Sequence, residues 1–507
     1  MQPDFDVAVV GGGHNGLVAA SYLAKAGKRV VLLEARPTLG GASISFQAFP
    51  EFPVKLSRYS YLVSLFPDQI KRDLGLGFTT LSRRVSSYTP VHQGGKDIGL
   101  LVERNPGRET EESFREVTGG DAEFHAWREF YSSLEKLAQY LAPTLLQPLQ
   151  NKKTLQDGFG DSTLWSQIFD QPIGETVNER FRDDIVRGVV LTDALVGTFT
   201  SINEMQANAC FLYHIIGNGT GEWRVPQGGM GAIVTELEVA ARSSGVEIKV
   251  NQRIEEINGD ANGIELVASD GEKYSCRDLI WCADDRALST LLGEGPKSRL
   301  DGSQIKINML LRELPELRSG FDPTRAFAGT FHIDESAIQL ESAYQLANAG
   351  SLPRVIPAEV YCHSLTDPSI VGSSGLHTLT LFAFHTPTSL FERDRQITTA
   401  RATERIISGI NSYLSTPLEE VLAYDSDGRA CIEVKTPLDL EEEIDLPRGN
   451  IFHGDLTMPF ADSLPEGRWG SESAHPNIFI GGASALRGGG VSGIAGHNAA
   501  FALINRS

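Results

Sequence analysis

DVAVVGGGHNGLVAASYLAKAGKRVVLLEARPTLGGAS, residues 6–43, decides the fold. Residues 6–10 are short, apolar and β-branched, as a parallel strand buried on both faces requires. Gly11, Gly13 and Gly16 follow. Beyond them Leu17, Ala20, Leu23 and Ala24 share one helical face, which predicts a helix over Leu17–Ala26 stopped by Gly27. Residues 29–34, RVVLLE, read as a second strand. The whole is one strand–helix–strand unit of about 30 residues, the size of a dinucleotide-binding βαβ motif.

The G-x-G-x-x-G spacing between strand and helix carries chemistry. Gly11 allows the tight turn, Gly13 lets the backbone approach a pyrophosphate, and Gly16 lets helix and strand pack closely. The helix start then offers unpaired N–H groups and its positive dipole end to phosphate. Glu34 closes the second strand, where a carboxylate accepts hydrogen bonds from ribose hydroxyls and disfavours the 2′-phosphate of NADP. Gly40 and Gly41 follow Glu34 at the spacing of a flavoprotein turn. A plain NAD dehydrogenase would continue into another crossover helix, so the expected cofactor is FAD.

The same pattern returns twice. Met230–Ser243 reads as a helix, Val246–Val250 as a strand, 253–270 as a hairpin turning at 259–263, and 278–283 as a buried strand. Near the end, Asn477–Gly481 reads as a strand, GGASALRGGG as a loop and Val491–Ile504 as a helix. Nucleotide-fold signals thus fall in residues 1–105, 223–302 and 441–507. Residues 106–222 are helical, as in Ala122–Leu141, and residues 303–440 alternate like strands, as in Ile305–Leu311 and Leu376–His385. The expected fold is α/β: a discontinuous FAD-binding Rossmann-type domain, of glutathione reductase or amine oxidase kind, with an inserted α+β substrate or cap domain.

Bulk composition narrows the function. The chain of 507 residues is 41% apolar and 22% charged, an ordinary globular balance. Its 65 acidic and 45 basic residues give a net charge of −20, which repels phosphate backbones and excludes nucleic acid as the expected partner. A local apolar contact with a membrane surface stays compatible with that charge. The five cysteines form no CxxC pair, so reduced thiols in a cytoplasmic protein are expected and disulfide reductase chemistry is not. Neither a signal peptide nor a run of about 18 apolar residues appears. No metal-ligand spacing, Ser-His-Asp order or P-loop is present, so no metal is expected and hydrolase and kinase readings lack support. No sequence feature sets an oligomeric state.

The opening stretch resembles the phytoene desaturase-like flavoproteins. The GHNGLV version is most similar to their carotenoid ketolase and "pyridine nucleotide-disulphide oxidoreductase domain-containing protein 2" branches. KLSRYSYLVSLFPDQI (55–70), VPQGGMGAIVTEL (225–237), GNIFHGDLT (449–457) and GGASALRGGGVSGIAGHNAA (481–500) extend the resemblance along the whole chain. It implies that Gly11, Gly13, His14, Asn15 and Gly16 hold the pyrophosphate and that Glu34, Arg36 and Ile254 meet the adenosine. Gly40, Gly41, Ala42 and Ser43 would follow the phosphate–ribityl path, while Gly482, Gly488, Gly489, Gly490 and Val491 would pass beside the flavin ring.

The resemblance also implies hydride transfer between FAD and a small lipophilic substrate, isoprenoid or lipid-like, under a capping insert. Alternatives are a carotenoid desaturase, ketolase or isomerase proper, and a flavin-binding interaction protein of low turnover. Catalytic candidates are Arg58 and Tyr59 in the segment after the GG turn, and His453, with Asp455 beside it, in the C-terminal segment. Leu486-Arg487 stands where the family usually has His-Pro. Arg487 is therefore expected either to face the flavin N1–C2=O edge and raise its potential or to face solvent. Trp223 reads as core or as a substrate platform. The stripe Leu134, Leu137, Leu141, Leu145 and Leu146 reads as a helix-packing face, a hydrophobic entry or a membrane contact. A long apolar tunnel over the flavin would indicate a polyene or lipid; a short polar cup, an amine or amino acid.

Overall fold

Strand, helix and strand follow one another at the start of the computed structural model, which describes residues 3–260, 263–295, 300–462 and 467–506. They are β1 (Phe5–Val10), α1 (His14–Lys25) and β2 (Val30–Leu33). The chain then forms the hairpin β3 (Val85–Gln93) and β4 (Lys96–Glu103), and a helical block that includes α2 (Ala122–Leu141) and α3 (Met205–Ile216). It returns through α4 (Met230–Ser243), β5 (Glu247–Lys249), β6 (Ile254–Asp260), β7 (Gly263–Ala268) and β8 (Lys273–Trp281). Next come β9 (Ile305–Leu311), β10 (Thr330–Ile333), β11 (Ala358–Tyr361), β12 (His377–Ala383) and β13 (Ile432–Lys435). The last elements are β14 (Ile478–Ile480) and α5 (Ile494–Ile504).

The first sheet runs β6-β7-β8-β1-β2-β5, with β14 also on β8. Its centre is parallel: Val7–Val10 lie between Asp278–Trp281 and Val30–Leu33. These strands are apolar throughout because both faces are covered; Val7, Ala8, Val9, Val31, Leu32 and Leu33 are fully buried. β8 pairs with β7 over its first half and with β14 over its second, so the three separated blocks meet in one sheet. The expected turn at 259–263 spans residues 261–262, which lie outside the described residues.

The second sheet runs β13-β9-β12-β11-β10-β3-β4. Here the expected boundary at residue 105 is corrected. β3 and β4 were grouped with the nucleotide block, yet β3 pairs in parallel with β10 through Ser87↔Thr330 and Tyr88↔Phe331. A hairpin leaves one edge of each strand unpaired, and local sequence does not say which sheet will satisfy it.

The helical insert buries its aromatic side inward. Phe124, Trp127, Phe130, Leu134, Leu137 and Leu141 of α2 join Trp165, Phe181 and Phe211 in one core. Leu134, Leu137, Leu141 and Leu145 are at most 2% exposed, so these four form a packing face, while Leu146 is partly exposed. Each such leucine contributes about 1.5–3 kcal/mol of burial. Among the described residues no helix is long and apolar enough to cross a membrane.

Candidate active site

The glycine turn is built by close approach. A Cβ on Gly16 would lie 1.9 Å from the Gly11 carbonyl oxygen, so only hydrogen fits where α1 crosses β1. Gly11 has φ +107°, a conformation that L side chains rarely adopt, and sits against Cys282. Gly13 differs: a Cβ there would meet nothing within 4 Å, although Gly13 lines a large cavity. Gly13 is the N-cap of α1, which lacks a side-chain cap and has no acid in its first turn. The helix therefore starts at His14, earlier than expected, with no side-chain cap on its first N–H groups.

Around this turn the side chains form a cradle. Glu34 accepts the Gly12 N–H through Oε2 at 2.7 Å and the Arg36 N–H through Oε1 at 2.9 Å. Burial raises its carboxyl pKa, and the two amide bonds oppose that. Gly40 donates to the Gly12 carbonyl at 2.9 Å, closing the second turn against the first. Asp445 joins Arg36 and Arg253 at 2.9 Å each, beside Ile254. His14 and His453 both line the cavity, and burial lowers both pKa values, His14 to about 4. Each is held neutral, and His14 Nε2 and His453 Nδ1 lack well-formed hydrogen bonds to any described residue. Two shielded imidazole nitrogens without well-formed hydrogen bonds, an uncapped helix start and a glycine facing empty space suit a dinucleotide with its phosphates at α1.

Nearly all the expected cofactor residues converge on one cavity of about 1030 Å³: Gly11, Gly13, His14, Asn15, Gly16, Glu34, Arg36, Gly40, Gly41, Ala42, Ile254, Gly489, Gly490 and Val491. Ser43, Gly482 and Gly488 do not line it. Ser43 is fully buried with its hydroxyl 3.4 Å from His14 Nδ1, and Gly482 packs on Cys282, where a Cβ would meet the carbonyl oxygen at 2.8 Å. Both support the cradle from behind.

The catalytic candidates divide. Arg58 turns from the cavity, pairs with Glu433 through Nε at 2.9 Å and Nη2 at 2.6 Å, and covers Phe46. Tyr59 lines the cavity, but its hydroxyl donates to Glu443 at 2.7 Å. His453 lines it as neutral imidazole. Asp455 is exposed and outside the lining. Trp223 lines the cavity and stacks on His214 with centroids 4.6 Å apart.

Arg487 requires a correction: it neither lines the cavity nor faces solvent, being 1% exposed. Its guanidinium donates to the Thr144, Gln147 and Trp469 carbonyls at 3.0, 2.7 and 2.6 Å. It ties the turn after α2 to the C-terminal loop, and burial lowers its pKa to about 10. Arg487→Leu would strand three acceptors, each costing about 1–3 kcal/mol. Denaturant unfolding should show a loss of about 3 kcal/mol or more, with the flavin midpoint potential unchanged; a shifted potential at unchanged stability would reverse the assignment.

The sequence reading missed the far end of the cavity. Lys306 of β9 is 2% exposed, donates to the Ser57 carbonyl and lies 5.0 Å from the Tyr61 ring centroid. Burial holds its amine well below the usual lysine range. Beyond it stand Tyr61, Tyr361, Glu359, His332, Arg83 and Asp193, all lining the cavity. The Tyr361 hydroxyl donates to Glu359, while Arg83 donates to the Trp223 carbonyl and to Thr330 Oγ1, both at 3.1 Å. Burial pushes Glu359 to about 7 and Asp193 to about 8, and Glu359 also raises Asp193. Charged residues inside apolar strands, Lys306 in IKINMLL and Glu359 in AEVY, were the available signal. The lining also carries apolar side chains, including Leu65, Trp127, Leu134, Val196, Phe382 and Leu456.

The sheet order and the cradle define an FAD-binding oxidoreductase with a second sheet roofing its cavity. The chain belongs to the flavin containing amine oxidoreductase family, whose model matches residues 16–304. It is 42% identical over 522 residues to an uncharacterized protein of Mycobacterium tuberculosis, covering 99% of this chain and 97% of that one. It is 30% identical to the mouse (Mus musculus) "Pyridine nucleotide-disulfide oxidoreductase domain-containing protein 2", covering 99% and 94%. Among solved structures, cyclohexylamine oxidase from Brevibacterium oxydans superposes with a TM-score of 0.57 at 16% identity, over 99% of each chain.

Proposed function

We propose that the protein oxidises an amphiphilic substrate by hydride transfer to FAD. The observation that carries this reading is one cavity lined together by the cofactor cradle, apolar side chains and a cluster of charged groups. Bound FAD supplies the two-electron acceptor. Trp127, Leu134, Val196 and Leu456 cover the substrate's apolar body and exclude water. Lys306, whose amine burial lowers well below the usual lysine range, takes the proton that the substrate gives up as the hydride leaves. His14 and His453, with pKa values lowered by burial, offer ring N–H donors to the cofactor without adding charge.

The expectation of a lipophile is thereby refined. The cavity is neither a plain apolar tunnel nor a short polar cup. A bare polyene would leave Arg83, Glu359 and Asp193 against hydrocarbon, at a cost of several kcal/mol. The apolar walls still support kinship with enzymes of isoprenoids and lipids, and a headed lipid satisfies both parts. The test is product analysis on a matched series of one chain length: alkane, alcohol and amine. The reading expects headed members to emerge two hydrogens lighter, with the alkane unchanged. Equal oxidation of the alkane would contradict it.

A further inference from the structure

Arg83 lines the cavity as a cation without a counter-ion. Its Nε donates to the Trp223 carbonyl and its Nη1 to Thr330 Oγ1, both neutral acceptors. Nη2 makes no hydrogen bond, and no carboxylate pairs with Arg83, among the described residues. The acids whose fields reach it are engaged elsewhere. Glu222 is held by Arg104 at 3.3 Å and by Arg224 at 2.9 Å. Glu359 accepts the Tyr361 hydroxyl.

The other groups of the recess do not supply the missing negative charge. β10 and β11 set His332 directly opposite Glu359, and Asp193 reaches the same recess from the helical insert. Burial raises Glu359 to about 7, and burial with the field of Glu359 raises Asp193 to about 8. Glu335, bonded to His332 Nδ1, is pushed well above the usual carboxylate range. Burial lowers His332 and His363 to about 3 and raises the Tyr61 and Tyr361 hydroxyls. Near neutral pH, Asp193 and Glu335 hold protons, Glu359 is divided, and both imidazoles are uncharged. Lys306 can add only positive charge. A buried cation without a partner is costly, and an anion relieves that cost.

We propose that Arg83 anchors a carboxylate head of the substrate, with the substrate's apolar chain against the apolar side chains of the same cavity. A carboxylate accepts from a guanidinium in charge-assisted bonds, and protonated Asp193 offers it a second donor. Its single charge matches the single unpaired cation. A phosphate would bring up to two charges against it, and a hydroxyl would leave it uncompensated. An ammonium would meet Arg83 as a like charge. As a statement about substrate, this rests on the proposed function; as a statement about binding, it does not.

The experiment measures binding of decanoate, 1-decanol, decylammonium and acetate to the holoenzyme by calorimetry, across pH and in buffers of different protonation heat. Wild type should bind decanoate about 10-fold or more tighter than 1-decanol near pH 7, the scale of one hydrogen bond to a charged group. A bound carboxylate favours the protonated forms of Glu359 and Asp193, so binding should take up protons. Affinity should therefore fall as pH rises through about 7 and about 8, while decanoate itself stays ionised. Arg83→Met should erase the preference with 1-decanol binding and flavin content kept, and Arg83→Lys should restore part of it. If Arg83→Met does not fold, the wild-type ligand series and its pH profile still decide. Decanoate bound no tighter than 1-decanol, or less tightly than decylammonium, overturns the anchor while leaving hydride transfer standing. Acetate bound as tightly as decanoate overturns a chain-borne head in favour of a small-anion site. Tight decanoate binding with no oxidation of any headed lipophile overturns the proposed function while leaving the anchor standing.

Discussion

Gly13→Val is expected to give a folded protein that has lost most of its flavin. The backbone at Gly13 has φ −73° and ψ 178°, a conformation any L residue adopts, so the substitution introduces no strain. A Cβ there meets no atom of the chain within 4 Å. The Cβ itself can meet only what enters the cradle. Overpacking a filled site costs about 1–3 kcal/mol, which is about 5- to 150-fold in affinity. Lost contacts between the helix start and phosphate add to that. The ratio of flavin to protein should therefore fall sharply while apoprotein unfolding stays as in wild type. Gly16 would make a poor test, because its Cβ would strike Gly11 at 1.9 Å and damage the fold itself. A Gly13→Val protein that keeps a full complement of flavin would show that the phosphates lie elsewhere.

Lys306→Met should slow flavin reduction by about 10²- to 10⁴-fold, the usual contribution of a positioned general acid or base. Methionine is one atom shorter and buries well, and it removes an amine whose charged form burial already disfavours. Its structural loss is one hydrogen bond to the Ser57 carbonyl, about 1 kcal/mol. Flavin content and stability should stay near wild type, so a rate effect isolates proton handling. Rates within about threefold of wild type would assign Lys306 to structure alone.

How far the sequence reached depends on distance along the chain. Gly11, Gly13 and Gly16 act on one turn of six residues, and Glu34 braces that same turn, so the cradle was legible. The mixed fold followed from periodicity, because Ile305–Leu311, Ala122–Leu141 and Met230–Ser243 each carry their own period. The recess was hidden because Arg83, Asp193, His332 and Glu359 come from four distant segments that only the second sheet and the insert bring together. Arg487 was misplaced for the same reason. Its neighbours in sequence are the flavin-side glycines, but two of its acceptors, Thr144 and Gln147, belong to the insert. Arg58 stood beside a cavity-lining residue, yet its partner Glu433 on β13 draws it away.

The measurement closest to the central claim is a single-turnover reduction. Oxidised holoenzyme is mixed anaerobically with a headed amphiphile, and the visible flavin absorbance is followed. The account predicts bleaching that saturates with substrate and leaves a product two hydrogens lighter, in one-to-one amount with flavin. A flavin-replete protein that no headed or unheaded lipophile bleaches would contradict it.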